Sequence, residues 1–233
     1  RMGMDRRDAL RVVGGVSIAG LAGCSMLGGG SDDGSSGGAL FSESFEANGV
    51  PGTMNDDSQQ NASVSITSDL ASDGSQSLGM ASTPGTSTSA KVTTTESFAG
   101  AGKHAVDLYK VADDVDEGGC RLRLLDANTD AEVSLFDIDY YGGVSFEEKD
   151  ENGDRIAQSS FGARLSNEEW HELSITVSEE GLTFAVDEQK TSYQPSLSWA
   201  DRDVVVQLNA NVWGGAWGSK LDVRFDNLRI SDL

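Results

Sequence analysis

The stretch WHELSITVSEEGLTFAVD, residues 170 to 187, constrains the fold of this chain more than any other. Leu173, Ile175 and Val177 alternate with Ser174 and Thr176, and after Glu179-Glu180-Gly181 the alternation resumes at Leu182, Phe184 and Val186. A period of two puts successive side chains on opposite faces of a strand, so this segment predicts a hairpin with one buried and one wet face. The pattern recurs at Val106-Leu108 with Val111 beyond, and at Leu122-Leu124, Val133-Leu135 and Val144-Phe146. Asn152-Gly153 within EEKDENGDRIA is a strong short hairpin-turn signal. No stretch shows a capped 3.6-residue period. Short strands separated by Gly, Asn and Asp turns predict an all-β, two-sheet antiparallel sandwich.

The first 23 residues read as an address. Arg6-Arg7 precede an uncharged, Gly-rich run from Val12 to Gly23, too short and too weakly apolar to span a bilayer. A charged start, a short apolar core and small residues before a cut site mark an export signal, and the paired arginines point to the twin-arginine route. Leu21-Ala22-Gly23-Cys24 resembles the lipobox of bacterial and archaeal lipoproteins. That resemblance implies cleavage before Cys24 and lipid on its thiol, hence anchorage to the outer face of the cell membrane. Residues 24 to 39 are rich in Gly, Ser and Asp and predict a disordered linker. The sandwich is expected over residues 40 to 233.

Charge describes the surroundings. The chain carries 38 acidic and 17 basic residues, a net charge of −21. Such a composition is similar to that of secreted proteins of extreme halophiles, in which molar salt screens the self-repulsion. It argues against nucleic acid as a partner, since no basic patch stands ready to neutralise phosphates. Cys120 is the only thiol beyond Cys24, so no intrachain disulfide is expected in the sandwich, and Cys120 reads as a small buried hydrophobe.

The two ends of the sandwich carry further signals. ALFSESFE opens it, with Phe41 and Phe45 expected on one strand face, and VRFDNLRI closes it. In the closing segment Val223 and Phe225 share one parity and Leu228 and Ile230 the other, which predicts a β-bulge at Asp226-Asn227. With the central WHELSITV and GLTFAVD, these segments resemble the concanavalin A-like lectin/glucanase jelly rolls, including laminin-G-like domains. The resemblance spans about residues 40 to 230. It implies a jelly roll whose last strand pairs near its first. Galactose-binding-like carbohydrate modules, with a similar opening and a different strand order, are the alternative.

Glucanases of this fold carry Glu-x-Asp-x-x-Glu on one strand, and the motif is absent here. Its nearest approach, Asp137-Ile138-Asp139, lacks the third acid and is expected at a solvated edge. These observations predict a non-catalytic, carbohydrate-binding-like module, with a structural or adhesion protein of the envelope as the alternative and polysaccharide or envelope glycoprotein as the partner. NANVWGGAWG supplies the candidate sugar contacts: Trp213 and Trp217 to stack on sugar faces, Asn209 and Asn211 to bond hydroxyls. Trp170 and Trp199 read as structural. Oxygen-rich clusters suggest Ca²⁺ at Asp113, Asp114, Asp116 and Glu117, or at Asp150, Asn152 and Asp154. Glu43, expected to point inward beside Phe41 and Phe45, needs a metal or an Arg to satisfy it, and Asp226 is placed to join it.

Overall fold

The structure, a computed structural model, describes residues 39–83, 85, 87–111, 118–138, 143–212 and 222–233. Arg6, Arg7, Cys24, the linker up to residue 38, Asp113, Asp114, Asp116, Glu117, Asp139, Trp213 and Trp217 lie outside the described residues. Among the described residues sixteen strands form: β1 (Ala39–Glu43), β2 (Met54–Asp56), β3 (Ala62–Thr67), β4 (Ser77–Ser82), β5 (Thr88–Thr94), β6 (Phe98–Ala99), β7 (Gly102–Lys110), β8 (Gly118–Asp126), β9 (Glu132–Ile138), β10 (Gly143–Lys149), β11 (Arg155–Arg164), β12 (Trp170–Ser178), β13 (Gly181–Val186), β14 (Gln189–Tyr193), β15 (Asp203–Val212) and β16 (Asp222–Ser231). They make two antiparallel sheets. The first runs β14-β13-β12-β7-β16-β4-β3, with β1 also on β16; the second runs β11-β10-β9-β8-β15-β5-β2, with β6 also on β15.

Alternation decides which residues meet between the sheets. In the β12–β13 hairpin Leu173, Ile175 and Val177 oppose Val186, Phe184 and Leu182, and all six are buried. Leu122, Leu124, Val133, Leu135, Val206 and Leu208 answer from the second sheet. Phe146 of the second sheet stacks on Phe184 of the first at 4.5 Å. The predicted bulge is present: the β16–β7 register shifts between Asp226 and Arg229, and Asn227 takes φ +49°. By absorbing one residue, the bulge lets Val223, Phe225, Leu228 and Ile230 all face the core. The last strand pairs with the first, as the resemblance implied.

Three local expectations need correction. Phe41 and Phe45 do not share a strand, because β1 ends at Glu43. Phe45 reaches the core through φ +54°, with its N–H held 3.0 Å from Glu43 Oε1. Glu43 is therefore satisfied by the backbone and by the Thr53 hydroxyl at 3.1 Å, rather than by a metal or an Arg. Asp137 is not at a solvated edge. It is 1% exposed and points between the sheets, where it accepts from the Cys120 N–H at 2.5 Å and from Lys110 Nζ at 2.8 Å. Strand parity explains this, since Asp137 shares the face of the buried Leu135.

Candidate functional site

The outward face of the second sheet carries the polar side chains that alternate with the core. Pairing sets them in rows across the strands. One row runs Lys91 (β5), Asn209 (β15), Arg121 (β8), Phe136 (β9), Ser145 (β10). The next runs Thr93, Gln207, Arg123, Ser134, Glu147. Beyond them Glu132 lies opposite Lys149, which pairs in turn with Arg155 of β11.

Two carboxylates anchor this face. Glu132 is 2% exposed and Glu147 1%. Glu132 binds the Arg123 guanidinium through both oxygens, with Nε at 2.8 Å, and Lys149 Nζ at 2.8 Å. Burial pushes its pKa up, but the hydrogen bonds and charge of Arg123, then those of Lys149, overcome this and bring it down to about 2. Glu147 binds Arg121 Nη1 at 3.0 Å, Arg155 Nε at 3.0 Å and Lys149 Nζ at 3.3 Å. Because one ammonium touches both, Glu132 Oε2 and Glu147 Oε1 lie no more than about 6 Å apart. The Ser134 hydroxyl, between Arg123 and Glu147 in its row, is wholly buried without a partner among the described residues.

Beside this cluster runs an open groove of about 290 Å³. Asn209, Asn211, Arg121 and Arg123 line it from β15 and β8, and Ser89, Lys91 and Gln59 line its other side. Asn209 is held in place, its Nδ2 donating to Ser89 Oγ at 2.7 Å and to the Ala90 carbonyl at 3.0 Å. Sequence reasoning singled out Asn209 and Asn211 as part of an aromatic loop, whereas the structure puts both within β15. It passed over Lys91, Arg121, Arg123, Glu132 and Glu147. Their signal was present in the outward parity of CRLRLLD and FEEK, but it only acquires meaning once the strand order is known.

Asp226 accepts the N–H groups of Ser72 (2.8 Å), Asp73 (3.2 Å) and Asn227 (2.8 Å), which fixes the bulge to the loop before β4. Asp150 accepts from the N–H groups of Asn152 (2.9 Å) and Asp154 (3.0 Å) and so shapes the β10–β11 turn. Among the described residues no group of three or more His, Cys, Asp or Glu is placed to hold a metal ion. Ser166 Oγ, His171 Nε2, His171 Nδ1 and Asp187 Oδ2 form a series with gaps of 2.9 and 2.7 Å. The Ser166 hydroxyl also lies 2.6 Å from Glu169 Oε2, and the Ser166 N–H donates to His171 Nε2 at 3.1 Å. The carboxylate takes the single hydroxyl proton, so the series ties the turn before β12 to Asp187 at the end of the β12–β13 hairpin. Trp170 lies against Tyr109 at 5.4 Å, and Trp199 is buried.

No family model matches the sequence, and no curated protein matches it. Solved structures do match. The laminarinase catalytic domain of Thermotoga maritima superposes with a TM-score of 0.64 at 15% identity, over 84% of this chain and 98% of that one. The fold is the concanavalin A-like lectin/glucanase jelly roll. The β-glucanase of Bacillus licheniformis gives 0.61 at 13% identity, over 84% of this chain and 99% of its own. An endo-acting O-glycanase of the human gut microbiota, described for mucin breakdown, gives 0.66 at 14% identity, over 84% and 100%. The strand order therefore decides against a galactose-binding-like module. The expectation of a non-catalytic module, or of an adhesion protein, is corrected by the same neighbours, which are glycoside hydrolases. Its premise was too narrow. Absence of Glu-x-Asp-x-x-Glu excludes one arrangement of acids on one strand, and acids on neighbouring strands can also converge on one face.

Proposed function

We propose that this protein is a glycoside hydrolase acting on a polysaccharide laid along the outward face of the second sheet. The observation that carries the reading is the proximity of Glu132 and Glu147, bridged by Lys149 beside the groove. A separation of about 5–5.5 Å between carboxyl groups suits retaining hydrolysis, with an inverting pair set wider. In this reading Glu132, held ionised, attacks the anomeric carbon; Glu147 from the adjacent strand takes a proton from solvent once Lys149 and Arg155 have swung away, gives it to the leaving oxygen, and later takes one from the attacking water. Both acids lie under a layer of cations, so sugar reaches them as Lys149 and Arg155 swing outward. Arg155, with its side chain 58% exposed, is free to do so. Opening also gives the buried Ser134 hydroxyl access to a sugar or to water.

Release of reducing ends from laminarin, mixed-linkage β-glucan and mucin O-glycans, in dilute and in molar salt, tests the reading. Hydrolysis is expected for the parent and lost in both Glu132→Gln and Glu147→Gln, with the far-ultraviolet circular dichroism of a β-protein retained. Absence of hydrolysis across the set, or its survival in both variants, overturns the assignment.

The same proposal places the enzyme outside the cell, tethered by lipid on Cys24. It is supported by the order of Arg6-Arg7, apolar run, lipobox and Gly/Ser linker. Mass spectrometry of the protein isolated from its native membrane is expected to show an amino-terminal, lipidated Cys24. An unmodified thiol at that position sinks the tether.

A further inference from the structure

We propose that the groove takes an anionic saccharide, its acidic group (a uronate carboxylate or a sulfate half-ester) seated between Lys91 and Arg121. The inference rests on the polysaccharide reading above and names the class of sugar. Its starting point is a contrast of charge. From Cys24 onward the chain has 13 basic residues, and five of them, Lys91, Arg121, Arg123, Lys149 and Arg155, stand on this one face. The groove lining itself contains three cations and no carboxylate, in a molecule of net charge −21. A groove meant for a neutral glucan needs hydroxyl-bonding amides and aromatic platforms and gains nothing from such a concentration of positive charge.

The open donors locate the seat. Arg123 is fully used, with Nε and Nη2 on Glu132 and Nη1 on Gln207. Arg121 is not. Its Nη1 meets Glu147 and its guanidinium lies 4.5 Å from the centre of the Phe136 ring, which fixes the plane and leaves Nε and Nη2 with no acceptor among the described residues. Lys91 Nζ likewise has no acceptor among the described residues. The two sit on either side of Asn209 in one register row, two strand spacings or about 10 Å apart at the backbone. Long side chains reaching inward over Asn209 from that separation can close on one acidic group. The planar guanidinium suits a carboxylate or a sulfate through two parallel hydrogen bonds, and the ammonium adds a point charge. Asn211 and Ser89, next along the strands, are positioned for the hydroxyls of the adjoining sugar. Distant acidic groups repel any polyanion, so discrimination arises at contact, where charge-assisted bonds are strongest.

Affinity electrophoresis at about 0.15 M salt tests this with matched glycans: laminarin and mixed-linkage glucan, the same two chains oxidised at C6 to uronates, the same two sulfated, and alginate and chondroitin sulfate. The parent is expected to bind at least one carboxylated or sulfated glycan roughly tenfold or more tighter than its neutral counterpart. The better of the two acidic series identifies the anion. Lys91→Met is expected to lose most of that preference, Lys91→Arg to restore it, and Lys190→Met, on an exposed residue of β14 in the other sheet, to leave it unchanged. Equal or weaker binding of every acidic glycan, or a preference that survives Lys91→Met, overturns the proposal. Retention of an acidic glycan without hydrolysis keeps this inference and sinks the hydrolase reading; hydrolysis of neutral glucans with no acidic preference does the reverse.

Discussion

Glu148→Ala is expected to lower the free energy of unfolding by roughly 3–5 kcal/mol. Glu148 is fully buried, and it faces inward from β10 while Glu147 and Lys149 on either side face outward. Four donors converge on its two oxygens: Tyr193 Oη at 2.7 Å, the N–H groups of Ser196 at 3.0 Å and Leu197 at 3.1 Å, and Trp199 Nε1 at 3.0 Å. Tyr193 ends β14 in the first sheet, and the other three lie in the crossover that returns the chain to β15 in the second. One carboxylate thus clamps the crossover and joins the sheets. Burial, with Glu148 beside it, pushes the Tyr193 hydroxyl up to about 12, so it remains a donor through ordinary alkaline pH. Alanine leaves the buried Trp199 Nε1 without its acceptor and takes the partner from three part-buried donors, and a buried donor left unpaired costs about 1–3 kcal/mol before the crossover relaxes. Glutamine keeps one acceptor oxygen and places an NH₂ against the donors of the other, so about half of the loss is expected from Glu148→Gln. Guanidinium denaturation of the three proteins at one fixed salt concentration measures it. A loss below about 1 kcal/mol for Glu148→Ala means that the crossover holds without its clamp.

Glu148 also shows where sequence stopped being informative. The Val144–Phe146 alternation correctly predicted β10, and its parity already told that Glu147 and Glu148 face opposite ways. Parity does not say which face meets a crossover whose donors come from residues 193 to 199. The same limit applies to Asp137, whose burial depends on Lys110 reaching across from the other sheet. The bulge at Asp226-Asn227 was legible because its cause is local: four apolar residues of two parities leave no other way to bury them. The outward face was illegible for the opposite reason. Arg121, Arg123, Glu132 and Glu147 come from three strands, and each alone is an ordinary wet-face residue. Only the order β10-β9-β8-β15-β5 assembles them beside Asn209. Searching for three acids on one strand assumed that the acids of a site must be neighbours in sequence, and in a sheet they need only be neighbours in register.

Acidification is expected to remove about 3 kcal/mol of stability between pH 4.5 and pH 2 through Glu132 alone. Its folded pKa, about 2, lies below the ordinary value of 4.5. The folded state therefore binds this proton less readily than the unfolded chain does. The stabilisation is complete above the unfolded value and fades as pH falls through the folded one. Asp126 acts in the same direction: burial raises its pKa, but the Asn128 N–H and Arg202 outweigh it. Asp69, paired with Arg224, is also lowered, although its half-exposed position lets solvent screen most of the gain. Asp226 opposes them. Its pKa is raised, chiefly by burial, so holding it ionised weakens the fold at neutral pH, and protonation relieves that cost as pH falls. Denaturation midpoints from pH 7 to 2.5 separate these contributions when parent and Glu132→Gln are compared. The variant starts lower, because Arg123 and Lys149 lose their shared partner, and then follows a flatter profile through pH 4.5 to 2. Profiles that stay parallel over that window would place the acid sensitivity elsewhere and remove Glu132 as the charge that holds the cation layer together. A Glu132 no longer held ionised by that layer also loses the property that qualified it for attack on a glycosidic carbon, so the stability measurement bears directly on the chemistry proposed for this face.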